Sequence, residues 1–124
     1  MSKKPATNDR FATIREATLA HRAKHGCSAW PYDNGPLLGA LAGAAGAERI
    51  LELGCALGYT SLSFANGAPK AKIDTIERDP EHIKLARANF SAAGMAKEPV
   101  SRLRKLCAMV FTSRSCRGPT IMQP

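Results

Sequence analysis

Cysteines, aromatic residues and long apolar runs are all scarce in this chain, and each scarcity closes off a class of protein. Its 124 residues include only 4 cysteines. Cys27, Cys55, Cys107 and Cys116 form no C-x-x-C pair and have no histidines at zinc-finger spacing, so free thiols in a reducing compartment are expected. Aromatic residues make up 6%. None is interleaved with the basic cluster Arg102, Arg104, Lys105, so that cluster lacks the stacking platforms of a single-strand nucleic-acid groove. The longest nearly uncharged stretch, Pro36 to Ala47, has about half of the roughly 20 residues a bilayer crossing needs. Lys3 and Lys4 are followed by Pro5, Thr7, Asn8, Asp9 and Arg10 rather than the apolar core of a signal peptide. A cytoplasmic chain with no membrane partner is the expectation.

What is present is ordinary. Hydrophobic residues make up 44% and charged residues 23%, with 10 Gly and 8 Pro, which fits one globular domain. The net charge of +8 is unevenly spread: residues 1–94 carry 12 basic and 9 acidic side chains, residues 95–124 carry 6 basic and 1 acidic. With the excess concentrated in the last segment, specific nucleic-acid binding is not expected.

Three regions follow from the patterning. Residues 1–30 form an N-terminal helical segment, with Phe11, Ile14, Ala17, Leu19 and Ala20 at helical spacing between Pro5 and Lys24, and Gly26 as its cap. After a turn-rich bridge, Cys27 to Gly35, a second helix is expected from about Pro36 to Ala45. Residues 31–94 contain the strongest organisation. Arg49 to Leu53 reads as a buried parallel strand, Gly54 to Gly58 as a loop, and Tyr59 to Ala65 as a helix stopped at Asn66-Gly67. Lys72 to Glu77 reads as a second strand, followed by a helix with Asp79 at its N-cap, Pro80 in its first turn and Gly94 at its end. Strand, loop, helix, strand, helix opens a Rossmann-like, doubly wound parallel α/β sheet. It stops after about the second strand and its helix, so the sheet is expected to be incomplete. Residues 95–124 offer only Leu103 to Phe111 as a possible element.

The loop between the first strand and its helix lies where such sheets bind ligands. A dinucleotide fingerprint would place glycine at 54, 56 and 59, but those positions hold Gly54, Ala56 and Tyr59, which disfavours a pyrophosphate. There is no Gly-Lys-Ser/Thr ending for a phosphate cradle. Glu77 lies 23 positions after Gly54, close to the spacing of about 20 at which an acidic side chain accepts hydrogen bonds from ribose hydroxyls. Ribose without pyrophosphate points to S-adenosylmethionine.

The block from Ile50 through Glu52-Leu53-Gly54-Cys55-Ala56-Leu57-Gly58-Tyr59-Thr60-Ser61, the run Thr75-Ile76-Glu77-Arg78-Asp79-Pro80, and Leu85 to Gly94 resemble the cofactor half of the catechol and caffeoyl-CoA type O-methyltransferases. The resemblance spans about Asp33 to Gly94. It implies that backbone at Gly54, Ala56 and Gly58 lines the methionine part of S-adenosylmethionine, and that Thr60, with Ser61, binds its carboxylate. It also implies that Glu52 orients the amino group, Glu77 holds the ribose and Arg78 lies beside the adenine. Two bland readings stay open: Thr60 and Ser61 as hydroxyls that only serve the helix start, and Trp30 with Tyr32 as local packing rather than part of an acceptor site. His21, His25 and His82 are expected on the surface, and Cys55 as an inert small residue.

The resemblance further implies a divalent metal held on carboxylates and an Asn after the fourth strand, and an acidic residue after the third strand for the adenine amino group. Glu98 is the only acidic residue after Glu81, so neither a metal site nor catalytic residues can be assigned. A truncated product with an out-of-frame tail would explain residues 95–124; a genuine basic extension is the alternative. The sequence therefore supports an O-methyltransferase by descent, acting on a small-molecule acceptor and present as its cofactor-binding portion. An inactive fragment or basic interaction module is the competing reading, with self-association or a homodimer expected.

Overall fold

The computed structural model describes residues 8–96 and 100–105, the latter as backbone. Four helices and three strands follow in the order α1 (Ala12–His25), α2 (Gly35–Ala44), β1 (Arg49–Leu53), α3 (Tyr59–Gly67), β2 (Lys72–Glu77), α4 (Pro80–Ala92) and β3 (Val100–Lys105). The strands form one parallel sheet in the order β1-β2-β3. The Rossmann-like reading holds, and both expected strands begin and end at the expected residues.

The sheet extends one strand further than expected. Val100–Lys105 pairs with β2, placing Arg102 opposite Asp74 and Leu103 opposite Thr75, with an irregularity between Ile73 and Asp74. Its polar sequence, Ser-Arg-Leu-Arg-Lys, has no apolar run to betray a strand, and pairing with the exposed edge of β2 supplies the backbone partners instead. Of the expected element Leu103 to Phe111, residues 103–105 lie in β3 and the rest outside the described residues. Cys107 and Cys116 also lie outside them.

Helices cover one face. Ile50 and Ile73, paired in register, pack with Phe11, Tyr59, Leu62, Ala86 and Phe90 from the helices. On the same face, Glu52 is paired with Thr75. The other face of β1 presents Leu51 and Leu53, 62% and 74% exposed. β1, expected to be buried, is therefore covered on one side only among the described residues. No helix there is long and apolar enough to cross a membrane.

Local chemistry sets the element ends. Asn34 caps α2 by accepting from the Leu37 amide, and Asp79 caps α4 by accepting from the Glu81 and His82 amides. α1 starts later than expected, at Ala12, because Asp9 accepts from the Phe11 amide just before it. The other carboxylate oxygen of Asp9 accepts from the Tyr59 hydroxyl at 2.5 Å, while that hydroxyl accepts from the Gly35 amide at 3.0 Å. One phenol therefore joins the start of α1, the start of α2 and the first turn of α3. Burial, and then the Asp9 contact, push the Tyr59 pKa up to about 12.

Candidate functional site

The site is built where the C-terminal ends of β1 and β2 meet the starts of α3 and α4. Between β1 and α3 the chain turns through three residues of positive φ: Gly54 at 85°, Ala56 at 46° and Gly58 at 93°. A Cβ on Gly54 would meet nothing within 4 Å, whereas one on Gly58 would lie 2.5 Å from the Phe90 ring. The two glycines thus do different work. Gly54 leaves backbone open to an approaching group; Gly58, expected to do the same, makes room for a core aromatic ring of α4.

Glu77 closes the arrangement. Its Oε2 accepts from the Ala56 amide at 2.8 Å, and its Oε1 accepts from the Arg78 and Asp79 amides at 2.7 and 3.0 Å. One carboxylate thereby ties the β1–α3 loop to the β2–α4 loop and holds Ala56 in its uncommon conformation. A carboxylate has about four acceptor positions; three are used, leaving one on Oε2. Asn89 of α4 secures the same loop by donating to the Leu57 carbonyl at 2.8 Å.

Behind the loop, Glu52 is buried and accepts from Ser61 and from Thr75, the latter at 2.7 Å. Burial raises its pKa above the ordinary carboxylate value, opposed by the two hydroxyl bonds. Ser61 is fully buried with its hydroxyl on Glu52, so the structure directs it to that carboxylate rather than to the loop. Thr60 is half-buried in the first turn of α3, where no side chain caps the helix. Arg78 is exposed. The Cys55 thiol, donating to the Ala56 carbonyl, is pushed up to about 12 by burial and then by Glu52, which keeps it protonated and inert.

Seven of the eight expected residues, Glu52, Gly54, Ala56, Gly58, Thr60, Glu77 and Arg78, lie in or under this loop pair, and Ser61 lies behind it on Glu52. Asn89, Phe90 and Thr75 lie in the runs that carry the resemblance but receive no site role from it, because their contacts cross long sequence separations that no local spacing marks. His82 is also corrected. Expected at the surface, it is 4% exposed, because the first turn of α4 packs its ring edge-on to His21 of α1, with centroids 5.2 Å apart. Trp30 is 66% exposed with the Arg22 guanidinium 3.5 Å over its ring, a local packing arrangement. A cleft of about 920 Å³ lined by Gly43, Glu48, Arg49, Lys70 and Lys72 opens at the opposite, N-terminal end of the strands, away from this loop pair.

A family model described as O-methyltransferase matches residues 2–104, through nearly the last residue of β3. The chain belongs to the O-methyltransferase family. A catechol O-methyltransferase of Mycobacterium tuberculosis is 41% identical over 63 residues, covering 50% of this chain and 29% of that protein. A tRNA1(Val) (adenine(37)-N6)-methyltransferase of Shewanella amazonensis is 32% identical over 105 residues, covering 80% and 45%. The crystal structure of the O-methyltransferase TomG from Streptomyces achromogenes, in complex with SAM, superposes with a TM-score of 0.65 at 27% identity, covering 85% of this chain and 48% of TomG. This O-methyltransferase chain thus spans less than half the length of each.

The divalent metal of catechol-type members does not fit the described residues. Its carboxylates are expected beyond β3, and the described loop pair offers Glu77, whose oxygens already hold three amides, and Asp79, which caps α4.

Proposed function

We propose that this chain provides the S-adenosylmethionine site of an O-methyltransferase that acts on a hydroxyl of a small-molecule acceptor. The observation that carries the reading is Glu77 poised at the end of β2 with its Oε2 on the Ala56 amide of a loop bent by Gly54 and Gly58. The cofactor, when bound, supplies a methyl group on a positively charged sulfur. Glu77 accepts from its ribose hydroxyls on the remaining lone pair of Oε2. Gly54, with no side chain in the way, admits the methionine portion, and Ala56 and Gly58 set the loop's curvature. The uncapped first turn of α3, including Thr60, receives the carboxylate, since free amides and the helix dipole favour an anion there. Glu52 acts from beneath, fixing the loop through Ser61 and Thr75, and Arg78 stands beside the adenine. Acceptor-side residues and a base for the hydroxyl proton are not among those described. A cytoplasmic setting and self-association belong to the same proposal, in keeping with the free thiols and the uncovered strand face.

Calorimetric titration with S-adenosylhomocysteine tests it. The parent chain should bind one equivalent, and Glu77→Ala should weaken binding by about 1–3 kcal/mol through loss of an acceptor for buried donors. Lys72→Ala, at the other end of the same strand, should leave affinity unchanged. Equal affinity in parent and Glu77→Ala would remove Glu77 from the site; no heat with the folded parent would remove the cofactor.

A further inference from the structure

Beside the loop pair, three side chains with metal-ligand chemistry converge from separate parts of the chain. His21 lies in the last half of α1, Cys27 just beyond the end of that helix, and His82 in the first turn of α4. One ligand atom from each lies within 4.8 Å of the other two. His82 is buried, and its Nε2 has no hydrogen-bond partner. Its Nδ1 faces Glu77 Oε2 at 3.9 Å, and Nε2 lies 3.8 Å from Asp79 Oδ2. Both distances are too long for hydrogen bonds. A buried ring nitrogen without a partner is costly, and its two neighbours in the cluster, an imidazole and a thiol, bind the same class of ion.

We propose that His21, Cys27 and His82 form a structural site for a borderline-soft divalent ion of the zinc class. Two imidazoles and one thiolate suit zinc and disfavour magnesium or calcium, which take oxygen ligands. The ligand atoms need to draw together by roughly 1 Å to reach a tetrahedron with metal–ligand lengths near 2.0–2.3 Å. Cys27, beyond the α1 cap, is placed on a connecting segment rather than in a packed helix. On binding, the Cys27 thiol loses its proton to solvent and forms the sulfur–metal bond, the two imidazoles donate neutral nitrogens, and water fills the fourth position. The ion clamps the N-terminal helix to the start of α4. This site is distinct from the carboxylate metal set of catechol-type members and does not depend on the cofactor reading.

Cobalt(II) titration of the reduced full chain, followed by zinc competition, tests the site. The parent should take up one cobalt per chain with a near-ultraviolet thiolate-to-cobalt band, which zinc displaces, and zinc should raise its melting temperature. Cys27→Ser should abolish the band, and His21→Gln should weaken binding by at least the roughly 10–100-fold that loss of an outer-shell partner costs. Both variants should melt as the metal-free parent does. His82→Gln removes a buried ring and can lower stability by itself, so it is read only for its loss of the zinc-induced shift. The double variant Cys107→Ser with Cys116→Ser should keep the band. The proposal is overturned if the parent shows no thiolate band, if Cys27→Ser retains it, or if the double variant loses it.

Discussion

The two faces of β1 carry similar apolar side chains but have different surroundings. Ile50 and Ile73 are packed under α1, α3 and α4, while Leu51 and Leu53, alternating with Ile50 along β1, are mostly exposed. A parallel sheet is normally buried on both faces, which is why β1 reads as a continuous apolar run. Arg-Ile-Leu-Glu-Leu is thus a two-sided strand of which the described helices cover one side. The covered side is closely fitted. Gly35, Gly39 and Gly43 recur every fourth residue of α2, and a Cβ on Gly39 would lie 2.4 Å from the Ser63 carbonyl of α3.

The largest effect that sharpens this contrast is expected at Leu62, fully buried in the covered face. Leu62→Ala should cost about 2–5 kcal/mol in urea unfolding, and Leu53→Ala no more than about 0.5 kcal/mol. A loss at Leu53 as large as that at Leu62 would mean that the second face is covered in solution. Next is the helix contact. A Cβ on Gly67 would lie 2.1–2.4 Å from the Gly39 backbone, where no flexible side chain can yield, so Gly67→Ala should cost about 1–3 kcal/mol.

A smaller effect depends on pH. Burial holds the Glu52 carboxyl above its unfolded value of 4.5, so the folded chain binds a proton more readily than the unfolded one. Stability contributed by that proton is present below the unfolded value and is lost as pH rises through the folded pKa. Glu52→Gln keeps an acceptor for Ser61 and Thr75 but cannot titrate. Parent stability should therefore fall relative to the variant as pH is raised from about 4.5 toward neutrality, read by urea midpoints across the range. A flat difference would place Glu52 in a more solvated setting. Least in stability, yet directed at the open face, is Leu51→Lys with Leu53→Lys: unfolding should shift by no more than about 0.5 kcal/mol per site. Sedimentation velocity should show less self-association than in the parent, because an apolar strand face is replaced by charge. Unchanged association would assign it to another surface.

What could be read locally was read at residue resolution. β1 and β2 are short apolar runs bounded by turn residues, Asp79-Pro80 marks a helix start by its own capping chemistry, and Gly54 with Glu77 set the ends of the two loops. Polarity misled where pairing or packing overrode it. β3 reads as a basic segment of which only Leu103 to Lys105 falls in a possible element, and His82, with Glu81 and Lys84 as neighbours, reads as a surface residue.

By itself the sequence determined the bounds of β1 and β2, the capped start of α4, the 54–58 loop and the acidic residue at the end of β2, because each depends on side chains within a few positions. Tertiary structure decided the rest. It put Ser61 and Thr75 on Glu52, Phe90 against Gly58, Glu77 on the Ala56 amide, and His21, Cys27 and His82 within reach of one ion. These contacts join residues 6 to 61 positions apart, and nothing in the local chain specifies which distant group will fill a given space. That choice is made only when the helices close over one face of the sheet, where each buried polar atom needs a partner and each missing Cβ admits one.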